Sequence, residues 1–196
     1  MKKKIINKKI KKAIDENISL KKKLYLLSDN IGSAIKIIYN TLKKGNKILI
    51  CGNGGSAADA QHLSAEFLIR LRPNVNRKPL PIISLPLDSS TMTACGNDYS
   101  FEDLFARTFE ALGKKGDLLF CISTSGNSEN IINVLKKANK MKIKSLSFLG
   151  NKGGKAKKLS SLNIIVPHTN TAIIQEAHIF LGHFILESVE RILFKK

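Results

Sequence analysis

The sequence predicts an α/β fold of three layers: a five-stranded parallel sheet flanked by helices, behind a long N-terminal helical leader. Three observations predict it. Short apolar runs rich in β-branched residues alternate with stretches of helical periodicity, the pattern of right-handed βαβ units. The spacing leaves room for a helix in each crossover, so both faces of a parallel sheet are covered. Two of the runs feed loops that turn directly into helices: Gly52-Asn53-Gly54-Gly55-Ser56 after the first, and Ser123-Thr124-Ser125-Gly126-Asn127-Ser128 after the third. At 196 residues the chain reads as a single domain, with 1–44 as leader and 45–196 as α/β core.

In the leader, Ile6, Ile10, Ile14 and Ile18 recur every four residues, and Leu24, Leu27, Ile31, Ile35 and Ile38 continue an apolar face. Ser28-Asp29-Asn30 and Gly32 are the places where it breaks or bends. The stripe exceeds what one short helix uses, so a second subunit is the expected partner; a helix lying on a membrane surface is the other reading. Gly45-Asn46 ends the leader and Ile48-Leu49-Ile50-Cys51 is the first strand. Ser56 is the expected N-cap of the next helix, with Asp59 three residues on in a near capping box.

Arg72 to Pro79 is a loop, and Leu80 to Leu85 a second strand with its prolines near the ends. Ser89 to Ala94 reads as a short helix and Gly96-Asn97-Asp98 as a turn. Phe101 to Leu112 is an amphipathic helix closed by Gly113. Asp117 to Ile122 is the third strand, and Asn127 or Ser128 caps a helix that runs to Met141. Lys144 to Leu149 and Leu162 to Val166 are the last strands, separated by a Gly/Lys-rich turn and a short helix. Thr171 to Phe194 is a long terminal helix.

Composition narrows the function classes. No run approaches the ~18 apolar residues of a membrane span, and the basic N-terminus lacks the apolar core of a signal peptide. Cys51, Cys95 and Cys121 are odd in number and have no zinc-finger spacing, so buried free thiols in a reducing cytoplasm are expected. The net charge is +18, with ten lysines among the first 23 residues. Nucleic acid is one reading of that charge. The lysines are scattered, Trp is absent and no basic–aromatic interleaving occurs, so a solvated surface is preferred.

The two loops carry the chemistry. Three glycines in four positions let the first loop take φ > 0 and come close to a ligand. The helix N-terminus behind it favours an anion, although a tight turn without a ligand also fits the glycines. The loop matches neither G-x-x-x-x-G-K-[ST] nor G-x-G-x-x-G, so a nucleoside triphosphate or dinucleotide is not the first expectation. His62 and Glu66, at i and i+4, share a helix face and suit a divalent metal or acid–base work. The second loop offers four hydroxyls and a glycine without a lysine, which suits a phosphate monoester that is bound and not transferred. In the flavodoxin-like strand order 2-1-3-4-5, the loops after strands 1 and 3 flank the topological switch point, so both face one crevice.

With these features in view, CGNGGSAADAQHLSAE, GNDYSFED, ISTSGNSENI and IQEAHIFLGH together resemble the sugar isomerase (SIS) domain superfamily and, within it, the phosphoheptose isomerases. The resemblance covers almost the whole chain. It implies a homotetramer with active sites at subunit interfaces, acting on D-sedoheptulose 7-phosphate. It implies that Asn53, Gly54, Gly55, Ser56, Asn97, Asp98, Ser123, Thr124, Ser125 and Ser128 bind the sugar phosphate. It implies one zinc ion per subunit on His62, Glu66, Gln175 and His183, with Glu66 and Gln175 also touching substrate. Family members often carry a polar residue just before the IQE run, where this chain has Ile173 and Ile174.

The expected reaction is an aldose–ketose isomerisation, in which Glu66 takes the carbon-bound proton and His183 serves the oxygen. His178 is read as structural. Gln175 and His183 lie eight residues apart on one helix, about 12 Å along its axis, so one of the two is expected from a neighbouring subunit. Two rivals are a non-catalytic SIS protein that binds the replication initiator and a sugar-phosphate sensor. The first resembles this chain in both loops but lacks the acidic residue and last histidine; the second is normally joined to a DNA-binding domain.

Overall fold

The computed structural model describes residues 3–85 and 88–194; the outermost residues of the expected leader and C-terminus lie outside the described residues. The leader forms α1 (Lys3–Leu24) and α2 (Ser28–Lys43), joined by a 3₁₀ turn at Tyr25–Leu27. The break thus falls just ahead of Ser28, and Gly32 sits inside α2 without interrupting it. The core follows as β1 (Ile48–Gly52), α3 (Gly55–Leu68), β2 (Ile82–Leu85), α4 (Ser89–Asp98), α5 (Leu104–Leu112), β3 (Leu118–Ser123), α6 (Glu129–Lys140), β4 (Lys144–Gly150), β5 (Leu162–Val166) and α7 (Thr171–Leu193).

The five strands are parallel in the order β2-β1-β3-β4-β5. Strand residues alternate faces and so divide the core in two. Ile48, Ile50, Leu118, Phe120, Leu146 and Phe148 pack under α2, α3 and α7. Leu49, Cys51, Leu119 and Cys121 pack with Leu104, Phe105 and Phe109 of α5 and with Ile131 and Leu135 of α6. Ile173 and Ile174 are buried in the first of these layers and offer no polar contact. The leader helix α1 buries Leu20 and Leu24 but leaves Ile6, Ile10, Ile14 and Ile18 exposed.

Two local expectations are corrected. Ser56 does not cap α3: the N-cap is Gly54 at φ 57°, a conformation that a side chain resists, and Ser56 is buried within the first turn. Gly96-Asn97-Asp98 is not a turn but the last turn of α4. The helix starts where expected, with Asp88 as its cap accepting from Thr91 N at 2.7 Å, and continues through Gly96 to Asp98.

Candidate active site

The in-register pairing of Gly52 with Ile122 places the loops after β1 and β3 side by side at the carboxyl edge of the sheet. Between them lies a cavity of about 280 Å³ lined by Asn53, Gly54, Gly55, Ser56, Ser123, Thr124, Ser128 and Gln175, together with Ile122 and Thr171. No lysine lines it. Gln175 reaches in from the second turn of α7 and packs so tightly on Gly55 that a Cβ there would lie 2.5 Å from its amide nitrogen. Ser125 is not among the lining residues; its Oγ accepts from Asn127 N at 3.1 Å and so shapes the loop. Asn97 and Asp98 do not line the cavity either; exposed at the end of α4, they hydrogen-bond to each other at 2.8 Å.

A larger cavity, of about 600 Å³, lies at the opposite edge, lined by Lys36, Lys44, Lys115, Lys142 and Lys144. Helices α2, α5 and α6 end there, and lysines suit the negative ends of their dipoles. The carboxyl edge is the one that combines free N–H groups with convergent polar side chains.

About two helical turns further along α3 and α7 from the cavity-lining Gly55 and Gln175, His62, Glu66 and His183 converge within one chain. His62 Nε2 and His183 Nε2 are 2.9 Å apart, and Glu66 Oε1 lies 3.2 Å from the first and 3.1 Å from the second. The cluster forms because α3 and α7 run parallel, Gly55 facing Gln175 and Leu63 facing Gly182. Two imidazole nitrogens and a carboxylate oxygen are a normal donor set for zinc. A tetrahedral ion with bonds of about 2.0–2.1 Å spaces its donors about 3.3 Å apart, so shifts of a few tenths of an ångström would seat one. The residues therefore fit the ion. Glu66 Oε2 is buried and has no hydrogen-bond partner among the described residues.

Sequence reasoning gave Asp59 only a capping role. In the structure it is half-buried near His62 and His183, and one of its oxygens, Oδ2, lacks a partner. Burial raises its pKa above the usual carboxylate value, against the pull of the two histidines. The missed signal is spacing: Asp59 precedes His62 by three and Glu66 by seven, on one helix face. His178 is fully buried against Phe148 and donates from Nε2 to the Leu149 carbonyl at 3.1 Å, as a packed histidine does.

The SIS domain family matches residues 14–150. The phosphoheptose isomerase of Clostridium acetobutylicum is 48% identical over 166 residues, covering 85% of this chain and 84% of that one. The chain belongs to the phosphoheptose isomerase family. Two solved phosphoheptose isomerases share its architecture. The one from Neisseria gonorrhoeae superposes with a TM-score of 0.88 at 36% identity, over 94% of this chain and 98% of that one. The one from Francisella tularensis gives 0.89 at 34% identity, over 94% and 97%. The observed strand order and the leading helix pair are thus those of phosphoheptose isomerases.

Proposed function

We propose that the chain is an aldose–ketose isomerase that converts D-sedoheptulose 7-phosphate to D-glycero-D-manno-heptose 7-phosphate, the first step towards the heptose of bacterial surface glycans. The observation that carries this reading is the presence, in one family member, of a lysine-free polar cavity at the N-terminal ends of α3 and α7 and of the Glu66–His62–His183 cluster further along the same two helices. The phosphate end of the substrate is assigned to the main chain of Asn53 to Ser56 and the hydroxyls of Ser123, Thr124 and Ser128. Ser125, Asn97 and Asp98 complete the proposed substrate set.

Glu66 is the proposed base. Oε1 faces both histidines, and the carboxylate is assigned the proton taken from C1. The C2 carbonyl oxygen gains a proton, which leaves a 1,2-enediol, and His183 is the group assigned to that oxygen. Return of the proton to C2 and loss of the C1 hydroxyl proton give the aldose, with no net change in atoms. His62, Glu66 and His183 would hold one zinc ion per subunit, with Gln175 as the further ligand. When bound, the ion supplies Lewis-acid polarisation of the substrate oxygens.

A homotetramer is part of the proposal. The exposed stripe Ile6, Ile10, Ile14 and Ile18, with Phe180 and Phe184 on α7, supports it, because burial of such side chains favours association. A cytoplasmic enzyme without nucleic-acid or membrane partners is proposed as well; the three buried free thiols suit a reducing compartment, and no helix among the described residues is long and apolar enough to cross a membrane. The presence of Glu66 and His183 disfavours the non-catalytic initiator-binding reading. Incubation with sedoheptulose 7-phosphate, followed by NMR for the aldose, tests the activity; no aldose from metal-loaded protein would refute it.

A further inference from the structure

Asn53 and Asn130 exchange two hydrogen bonds through their side-chain amides. Asn53 Nδ2 donates to Asn130 Oδ1 at 2.8 Å, and Asn130 Nδ2 donates to Asn53 Oδ1 at 2.9 Å. The residues are 77 positions apart. Asn53 opens the glycine loop behind β1, and Asn130 stands in the first turn of α6, just after the serine loop. Asn130 is only 2% exposed. An amide pair held away from water is strong, and an amide left there without its partner is costly.

Among the described residues, this pair is the one side-chain hydrogen-bonded link between the glycine loop and the segment that follows the serine loop. The serine loop is otherwise tied to itself, Gly126 N donating to Ser123 Oγ and Asn127 N to Ser125 Oγ. On its far side it locks to the turn after β4: Ala156 N donates to the Gly126 carbonyl at 2.9 Å, and a Cβ on Gly126 would lie 2.2 Å from the Gly153 carbonyl. The serine loop therefore has a fixed back. The glycine loop has exposed Gly54 and Gly55 and only local turn bonds, such as Ser56 N to the Asn53 carbonyl at 3.0 Å. Its placement across the cavity is set by the strand beneath it, by the packing of Gln175 on Gly55 at the start of α3, and on the side of the serine loop by Asn53.

We propose that Asn130 is a positioning residue: it holds Asn53, and through it the spacing of the two loops that grip the phosphate. Asn130 does not line the cavity and touches no substrate; it acts through Asn53. The inference rests on the reading of this cavity as the phosphate site. It also gives the Asn53 side chain a structural partner, which leaves the loop's main-chain N–H groups as its anion donors.

The test is Asn130→Leu, which keeps the branched shape and heavy-atom count while both amide bonds are lost; Asn130→Ser is made in parallel because the methyls of leucine are bulkier than the amide and the first variant can fail to fold. The expected result is a Michaelis constant about tenfold higher or more, with turnover number within about threefold of wild type, because phosphate binding is equal in ground and transition states. The dissociation constant for inorganic phosphate, read by calorimetry, rises with it. Zinc affinity stays unchanged, which a general loosening of the fold would not allow. The double variant Asn53→Leu/Asn130→Leu is no worse than the worse single one. An unchanged phosphate affinity and Michaelis constant, a fall confined to turnover, or additive effects would overturn the proposal. Wild-type protein that binds phosphate but does not isomerise the sugar would instead sink the functional reading and leave the positioning role standing. Wild-type protein that does not bind phosphate would overturn both.

Discussion

Gly182 on α7 faces Leu63 on α3 so closely that a Cβ at position 182 would lie 2.7 Å from one Leu63 methyl and 2.8 Å from the other. Each residue is the chain neighbour of a histidine, His183 and His62. Glycine inside a helix costs about 1 kcal/mol relative to alanine, so propensity does not explain it; close approach of the two helices does. Leu63 is fully buried, so shifting its methyls disturbs the packing around them. Gly182→Ala is therefore expected to destabilise the fold by about 1–3 kcal/mol by overpacking. By parting His183 from His62 and Glu66 it is also expected to lower kcat/KM about tenfold or more. Adding Leu63→Ala makes room and restores part of the activity. A fully active, fully stable Gly182→Ala would show that the contact does not set the cluster.

Ser128 lines the cavity, and its side chain makes no capping bond to α6, so its hydroxyl is free for a ligand. Ser128→Ala is expected to raise the Michaelis constant several-fold with little change in turnover. Ser125→Ala acts through the loop, by loss of the bond from Asn127 N, and is expected to raise it as well. Steady-state kinetics on both variants checks this; a fall in turnover number alone would contradict it.

Burial pushes His178 down to about 4 from the ordinary value near 6.5, against the opposing hydrogen bond to the Leu149 carbonyl. Between those values the unfolded chain binds a proton that the folded chain refuses. Stability is therefore unaffected by this group above pH 6.5 and falls as pH drops towards 4, by roughly 3 kcal/mol in all. His178→Gln should flatten that part of the denaturation profile. An equally steep acid limb in the variant would assign the loss to other groups.

Glu66 and His183 meet within one chain, so mixing Glu66→Gln with His183→Ala subunits is expected to restore nothing. Gln175 is different: its amide lies against Gly55, seven residues or about 10 Å before His62 along α3. Mixing Gln175→Ala with His183→Ala is expected to regain activity, because a neighbour's Gln175 would then serve an intact cluster. No recovery, with exchange confirmed by mass spectrometry, would place all four residues in one chain.

Much of this was legible because it rests on local signals. Apolar runs before glycine- and serine-rich loops fixed the strands, and the switch-point rule then placed both loops on one crevice. The i, i+4 pair His62 and Glu66 was readable from helix geometry alone. The approach of His183 to that pair was not: it depends on how near α7 packs to α3, which Gly182 and Leu63 decide in three dimensions. The end of α4 was not legible because Gly96 reads as a breaker by type, whereas a glycine inside a helix costs only about 1 kcal/mol and the helix runs on to Asp98. The cap of α3 was misjudged because Ser56 is a good capping residue by type, while the tight backbone at Gly54 ends the loop two residues earlier.

The account stands most directly on Glu66 as the group that moves the carbon-bound proton. The measurement is turnover of sedoheptulose 7-phosphate by metal-loaded wild type and Glu66→Gln, followed by NMR of the aldose, with circular dichroism and sedimentation to confirm fold and assembly. The account predicts a loss of about 10²–10⁴ in rate with fold and assembly intact, since the amide keeps the shape but accepts no proton. Near-normal turnover by Glu66→Gln would contradict it.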